Sequence, residues 1–494
     1  MANPLSNLEP KLVFHNFGEL SKIPRPSKKE EKVVAYIENW AKEKNIAVKK
    51  DKTGNLLLSK PATPGMEDRQ PICIQGHLDM VCVAEKGHQI DFDNDPIDVY
   101  VDGDWVKAKG TTLGGDNGIA IAMGMGLLES KDIPHPALEL LCTLDEEEGL
   151  VGANGLGTDL ITSKLLINID SEDEGIFTIG CAGGINTIAR YEYMEREVPN
   201  GWLPYNIVVD GLKGGHSGIE INAGRANACK LLNRVLWSAT EQFDIVLASF
   251  NGGLKHNSIP AEAVAVVLVN PAKEKEFKQF VSEMNDTFKK EFILNEPNGR
   301  IFLEVCDMPD RVMTHDAQFK LLASFYTLAH GVLRMSPNLK DAKGNPLVQT
   351  STNFAIVETR KDEIKVTTSQ RSSVNSEKEN IQEKVKTAFM LGDAVVESTD
   401  GYPAWEPRLV SPLVDLSKEV WRKLYNTEPA IETIHAGLEC GLIGDKYEGM
   451  DMISIGPNLH DVHSPAERLS ISSTKKIWDF IVELMKNIPK VTAV

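Results

Sequence analysis

Histidines and carboxylates stand at the ends of several apolar stretches of this sequence. Imidazole and carboxylate groups together suit zinc and other borderline cations such as Co²⁺ and Mn²⁺. Two such cations held roughly 3.5–4 Å apart need a carboxylate that bridges them and further ligands on each side. The sequence contains these groups in the order His77 and Asp79 in GHLDM, Asp116 in GGDNG, the acids 145–148 in DEEEG, Asp170 in INID, and His463 in VHSPAE.

Each of these motifs also has an ordinary structural explanation. A histidine and an acid at positions 77 and 79 are typical of a polar strand end, and Asp116 is typical of a helix N-cap. The four successive acids could form a solvated turn. On a strand, residues i and i+2 point the same way, so Asp79 could also serve to orient His77. It is the occurrence of all these motifs in one chain that favours a metal centre.

The elements that must position these residues are short buried strands. The runs PICIQGH, ALELLCTL and KLLINID are predicted strands, and each ends at a histidine or at acidic residues. In open α/β sheets, ligands bind at the carboxyl edge of the strands. A helix predicted to begin just after Gly115 would bring Asp116 there. Another helix is predicted over Ser27–Lys44, where Ser27 and Glu30 would form a capping box.

The pattern changes after Gly183. Strand-like runs such as YNIVVDGL, AEAVAVVLV, RIFLEVCD and EIKVTTSQ alternate with long predicted helices, among them one over 317–334. We therefore predict an α+β domain over residues 186–392, inserted into an α/β domain that comprises residues 1–185 and 393–494.

Composition excludes several classes of function. The chain of 494 residues has a net charge of −18, which makes nucleic acid an unfavourable partner and anionic membranes a poor one. Its seven cysteines contain no CxxC pair and are predicted to be free thiols of a reducing compartment. No signal peptide and no membrane-spanning stretch is visible, so we expect a cytoplasmic protein.

These motifs, in this order, resemble the co-catalytic two-zinc aminoacylase/carboxypeptidase superfamily. Further strings resemble one family within it, the aminoacyl-histidine dipeptidases, also called peptidase D or Xaa-His dipeptidases. The resemblance covers nearly the whole chain and rests on GCAGG at 180, GGHSGIEINAGRANA at 214, HNSIPAEA at 256, SQRSS at 369, HAGLECG at 435 and SIGP at 454.

The resemblance implies a role for each site residue. Asp116 would bridge two Zn²⁺ ions, with Co²⁺ or Mn²⁺ as alternatives, and its peptide bond to Asn117 would be cis. The family pattern acid-acid-any-Gly selects Glu146 as the general base; a register slip by one residue would select Glu147 instead. The other implied metal ligands are His77, Glu147, Asp170 and His463, with Asp79 orienting His77; the implied substrate-binding residues are His216, Asn257, Arg371 and Gly437.

The implied protein is a homodimeric dipeptidase with an α/β/α catalytic domain and an inserted α+β lid. A metal-bridged water would attack short unblocked dipeptides, including those of the Xaa-His type, while Glu146 moves the proton. A tripeptidase or an N-acyl-amino-acid amidohydrolase of the same superfamily is the closest alternative. A catalytically inactive binding protein on this scaffold is the alternative from another class. A calcium-stabilised protein is disfavoured because Ca²⁺ takes oxygen ligands.

Overall fold

The structure is a computed structural model, and it describes residues 3–340 and 344–491. Residues 1, 2 and 492–494, at the two ends of the predicted α/β domain, lie outside the described part of the chain. Two β-sheets dominate the fold, one of eight strands and one of nine.

The outer parts of the chain, on either side of the residues that form the nine-stranded sheet, supply most of the helices. Before residue 182 the elements are α1 Lys11–Leu20, α2 Glu31–Glu43, β1 Ala47–Lys50, β2 Leu56–Lys60, β3 Ile72–His77, β4 Val99–Asp102, β5 Trp105–Ala108, α3 Gly115–Glu129, β6 Leu138–Thr143, α4 Val151–Gly155, β7 Leu165–Asn168 and β8 Ile176–Cys181.

The middle of the chain is richer in strands. Its elements are β9 Gly183–Glu192, β10 Glu195–Arg196, β11 Leu203–Asp210, β12 Gly215–His216, α5 Ala228–Phe243, β13 Val246–Gly252, β14 Ser258–Ile259, β15 Ala263–Val269, α6 Glu274–Phe292, β16 Arg300–Val305, β17 Val312–Met313, α7 His315–Thr327, β18 Gly331–Lys340, β19 Pro346–Thr359, β20 Glu363–Ser372, α8 Asn375–Leu391 and β21 Val395–Tyr402. The chain then closes with α9 Pro412–Tyr425, β22 Ala430–Ile434, α10 Glu439–Lys446, β23 Asp451–Ser454, β24 Leu459–His460, β25 Arg468–Ser470 and α11 Ile471–Asn487.

The eight-stranded sheet is mixed, in the order β1-β2-β6-β3-β7-β23-β8-β22. Its centre, from β6 through β3 and β7 to β23, is parallel. Alternate residues of a strand face opposite sides: Leu56 and Leu58 of β2 pack in the core formed with α1, α2, α3, α9 and α11, whereas Leu57 packs in a second core with α10. Helices therefore cover both faces, and the predicted α/β/α arrangement is confirmed.

The nine-stranded sheet is antiparallel, in the order β16-β11-β15-β13-β19-β20-β9-β21, with β18 paired to β19. Its core with α5, α6, α7 and α8 contains the buried aromatic residues Phe250, Phe277, Phe325, Phe354 and Phe389. The predicted α+β insertion is confirmed. Its strands run from Gly183 to Tyr402, so β21 follows the predicted C-terminal bound at 392.

The two segments that join the sheets run side by side. Cys181 and Trp405 form an antiparallel bridge and exchange backbone hydrogen bonds of 3.0 and 3.1 Å. A Cβ on Gly183 would lie 2.5 Å from the Ala404 nitrogen. The GCAGG string thus places glycine where two backbones touch.

Two local predictions are wrong. The helix expected from Ser27 begins at Glu31, and no side chain caps it, because Ser27 donates to Asp79 and Glu30 accepts from the Asp145 nitrogen. The helix expected over 317–334 ends at Thr327. Gly331 begins β18, and its φ of 94° is incompatible with an α-helix.

All seven cysteines lie in the described residues, and none forms a disulfide. Across residues 3–340 and 344–491, no helix is both long enough and apolar enough to pass through a membrane.

We expect Gly183→Ala to lower the free energy of unfolding by about 1–3 kcal/mol, as overpacking does, because backbone atoms cannot yield as a side chain can. Urea denaturation measures the loss. The matched control is Gly401→Ala, whose Cβ would approach the Ile185 side chain to 3.3 Å and backbone no closer than the Gly184 oxygen at 3.7 Å. Equal stabilities of the two variants would contradict the close contact at Gly183.

Candidate functional site

The carboxyl ends of the parallel strands bring the predicted metal ligands together. His77 is the last residue of β3, the acidic run follows β6, and Asp170 follows β7. His463 reaches the same place from the loop after β24, where its backbone takes the left-handed conformation with φ 61°.

Asp116 lies between the two histidines. Its Oδ1 is 3.1 Å from His77 Nε2, and its Oδ2 is 3.2 Å from His463 Nε2. His77 Nε2 also lies 3.5 Å from Asp170 Oδ1, and His463 Nε2 lies 3.0 Å from Glu147 Oε1. The peptide bond between Asp116 and Asn117 is cis, as predicted.

The acidic run divides between the site and the surface. Glu146 and Glu147 face His77, and both of their backbone nitrogens donate to Asp79, at 3.0 and 3.2 Å. Glu148 points away and pairs with Lys28 at the surface. Asp79 also accepts from Ser27, and its Oδ1 lies 3.2 Å from His77 Nδ1, which fixes the orientation of that ring.

Burial and neighbouring charges shift the pKa of several residues in the cluster. Burial raises the pKa of Glu146 well above its ordinary range, and burial likewise raises the pKa of Asp170 to about 6. Hydrogen bonds to Asp116 and Glu147 raise the pKa of His463 to about 11. Carboxylates crowded in this way favour a bound cation.

The donor atoms fit two divalent cations. Ligand atoms lie within 4.8 Å of one another in the set His77, Asp116 and Asp170 and in the set Asp116, Glu147 and His463. Asp116 belongs to both sets and offers a different oxygen to each histidine. Mixed imidazole and carboxylate donors suit zinc, cobalt or manganese better than calcium.

Four residues to which the sequence analysis assigned no role support the strands and loops that carry these ligands. Glu467 accepts from the backbone nitrogens of residues 113–116, and Arg25 donates to the carbonyls of residues 78, 79 and 114. Asn117 joins the His77 nitrogen to the Ile169 carbonyl. Glu439, wholly buried, accepts from Gln75 and Thr143.

A signal for two of these supports was present in the sequence. Glu467 lies in HSPAE and Glu439 lies in HAGLECG, strings that also carry the family resemblance. Arg25 offered no signal, because nothing in IPRPS distinguishes it from a surface arginine.

The four predicted substrate-binding residues lie apart from the carboxylates. Within the described residues, none of them hydrogen-bonds to the cluster. His216 lies on β12, which pairs with β14, and the Asn257 carbonyl beside it accepts from Ser217. Arg371 lies on β20, and its Nη1 donates to Tyr402 Oη at 2.8 Å. Gly437 lies against the Tyr402 ring, where a Cβ would be 2.8 Å from Cε2.

A cavity of about 390 Å³, the size of a small-molecule pocket, is lined both by Asp170 of the metal-ligand cluster and by residues of the inserted part of the chain. Gly218 and Ile219, from the loop after β12, and His435 are among the residues that line it. His435 Nε2 lies 2.7 Å from the Ser351 hydroxyl of β19, a contact between the two sheet regions.

Comparison with known proteins agrees with the geometry. The peptidase dimerisation domain of the M20 family matches residues 208–295. The cytosol non-specific dipeptidase of Escherichia coli is 39% identical over 485 residues, which cover 98% of this chain and 99% of that protein.

Solved structures give the same result. Aminoacylhistidine dipeptidase from Vibrio alginolyticus superposes with a TM-score of 0.91 at 36% identity, over 99% of both chains. Aminopeptidase PepT from Bacillus cereus has a TM-score of 0.57 at 16% identity, over 97% of this chain and 99% of that one, and shares the fold alone.

We expect Glu467→Ala to destabilise the protein by at least about 3 kcal/mol, because the buried N–H groups of residues 113–115 lose their acceptor at roughly 1–3 kcal/mol each. The side chain is 2% exposed, so water cannot replace it freely. Urea denaturation in the presence of a chelator separates this loss from metal binding. Glu383→Ala, on the exposed face of α8, is the control; a similar loss there would refute the anchoring role.

Proposed function

The chain belongs to the M20 peptidase family, together with the cytosol non-specific and aminoacylhistidine dipeptidases, and from this we propose that it is a metal-dependent dipeptidase. Its substrates are short unblocked dipeptides, including those of the Xaa-His type. The observation that carries the proposal is the Asp116 carboxylate, which presents one oxygen to His77 and the other to His463.

Two zinc ions are the proposed cofactors, with Co²⁺ or Mn²⁺ as substitutes. His77 and Asp170 would hold one ion, Glu147 and His463 would hold the other, and Asp116 would bridge them. When bound, the ions acidify a water molecule and polarise the scissile carbonyl. Asp79 keeps the His77 ring in place through Nδ1.

Glu146 is the proposed general base. Its side chain belongs to the group that faces His77, and its backbone is held by Asp79. Burial raises its pKa, which brings the carboxylate closer to the pH at which a base both accepts and returns a proton. Glu146 takes the proton of the attacking water and passes it to the leaving amine.

His216 is the proposed donor to the tetrahedral oxyanion. Its Nδ1 accepts from the backbone nitrogens of Gly218 and Ile219, which leaves the ring proton on Nε2. A donor fixed before reaction stabilises the charge that develops on the carbonyl oxygen. Asn257, on the neighbouring loop, and Gly437 are the proposed contacts to the substrate backbone.

Arg371 is the proposed partner of the free α-carboxylate. The residue is 8% exposed, and it forms no ion pair with any carboxylate in the described residues. A buried guanidinium without a counter-ion is costly, and a planar carboxylate ligand would offset that cost. A fixed cation at one end of the site explains a preference for dipeptides over longer chains.

The division into a catalytic domain (residues 1–185 and 393–494) and a lid (residues 186–392) is also a proposal. It follows the two sheets, except that the first residues of β9 and all of β21 lie outside the lid range but belong to the lid sheet. The match of residues 208–295 to a dimerisation domain supports a homodimer. The cytosolic name of the Escherichia coli relative supports a cytoplasmic location.

Hydrolysis of a peptide panel tests the function. We expect cleavage of free dipeptides, loss of activity on chelation and recovery with zinc. The panel includes a C-terminally amidated dipeptide, a tripeptide and an N-acetyl amino acid. Preferred cleavage of the tripeptide or of the acylated substrate would assign the chain to a related activity. If no substrate of the panel is cleaved in a metal-dependent way, the result would favour a binding protein.

We expect Glu146→Gln to lower kcat by at least about 100-fold, the usual contribution of a positioned base. Metal content and thermal unfolding should match the unmodified protein, because Glu146 is not a proposed ligand. Glu148→Gln, which alters the exposed neighbour, is the matched control. Normal turnover in the Glu146 variant, or loss of turnover in the control, would show that the base is another residue.

A further inference from the structure

Tyr402 is the last residue of β21, where the chain leaves the nine-stranded sheet. Its hydroxyl oxygen accepts the 2.8 Å hydrogen bond from Arg371 Nη1. Burial raises the pKa of the Tyr402 phenol, and the neighbouring Arg371 guanidinium acts in the opposite direction.

Gly184 explains how Arg371 and Tyr402 meet. In the sheet, Gly184 of β9 is the register partner of Arg371 on β20 and also of Tyr402 on β21. Directly opposite residues on neighbouring strands project from the same face. Because Gly184 has no side chain, the two outer side chains touch across it; a Cβ there would lie 2.7 Å from the Tyr402 hydroxyl.

The tyrosine itself is held firmly. Gly437 packs against the ring from the eight-stranded sheet region, and the Lys378 ammonium donates to the Tyr402 carbonyl at 2.7 Å. The hydroxyl is therefore a fixed acceptor, and one nitrogen of the guanidinium is tied to it.

Tyr402 occupies only one of the nitrogens of Arg371. Nη1 is occupied by Tyr402, and the buried Nε has no partner among the described residues. Elsewhere among the described residues, the Nε and Nη2 edge of arginine holds a carboxylate between Arg300 and Asp210 and between Arg422 and Glu428. The same edge of Arg371 is the one left for a ligand.

We propose that Tyr402 is a positioning residue for Arg371, which fixes the guanidinium so that its Nε and Nη2 edge meets the α-carboxylate of the dipeptide. The proposal rests on the proposed dipeptidase function and on the carboxylate role of Arg371. Tyr402 acts through Arg371 and selects substrates with a free carboxyl terminus; the chemical step itself does not depend on it.

The test compares Tyr402→Phe, Arg371→Ala and the double variant on a free dipeptide and on its C-terminal amide. Tyr402→Phe keeps the ring that fills the space beside Gly184 and Gly437 and removes only the hydroxyl. Tyr191→Phe is the matched control, because it removes a buried hydroxyl that contacts Ser324 inside the same sheet region. Metal content and thermal unfolding verify that each variant is folded.

We expect Tyr402→Phe to raise KM for the free dipeptide about tenfold, the equivalent of one charge-assisted hydrogen bond, with kcat nearly unchanged. Kinetics on the amide should not change. In the Arg371→Ala background the same substitution should have no further effect, since coupled residues are not additive.

The outcomes separate the two proposals. If Tyr402→Phe behaves like Tyr191→Phe while Arg371→Ala loses its preference for the free carboxylate, positioning by Tyr402 is refuted and the carboxylate role stands. An equal fall of kcat on both substrates would place Tyr402 at the reaction itself and also refute positioning. If Arg371→Ala keeps the preference for the free dipeptide, both the positioning and the carboxylate role fail.

Discussion

Repulsion between carboxylates is the constraint on which the rest of this structure depends. Asp116, Glu147 and Asp170 converge at one sheet edge, and burial makes their mutual repulsion stronger than it would be in water. Backbone hydrogen bonds hold them there: Glu467 anchors four successive amides, and Asp79 anchors two more. Amide dipoles fix positions without cancelling the charge of the ligands, so the attraction for cations is preserved.

The second sheet meets this edge through contacts that depend on small residues. Glycines at 183, 184 and 437 allow the backbone and the Tyr402 ring to approach closely where the two regions join. The Ser351–His435 hydrogen bond adds a polar contact beside the cavity. The strands of the inserted sheet are thereby positioned relative to strands that lie far away along the chain.

Much of this arrangement could be predicted because strand ends carry local signals. The strands before His77, Glu146 and Asp170 were evident as short apolar runs, and the shared edge followed from parallel pairing. The role of Arg25 could not be predicted, because the carbonyls that it contacts belong to loops that are distant in sequence and come together only on folding. The Ser27 capping box failed for a related reason: Ser27 and Glu30 bond to Asp79 and Asp145, and the site overrides the local helix pattern.

Strand β23 lies between β7 and β8, although the whole nine-stranded sheet separates it from them along the chain. During synthesis on the ribosome, β7 therefore keeps an unpaired edge until β23 has emerged. His463 follows later still. The strands of the inserted sheet are contiguous in sequence and can pair earlier. The proposed set of metal ligands is therefore complete only after residue 463 has been synthesised and β23 has paired with β7.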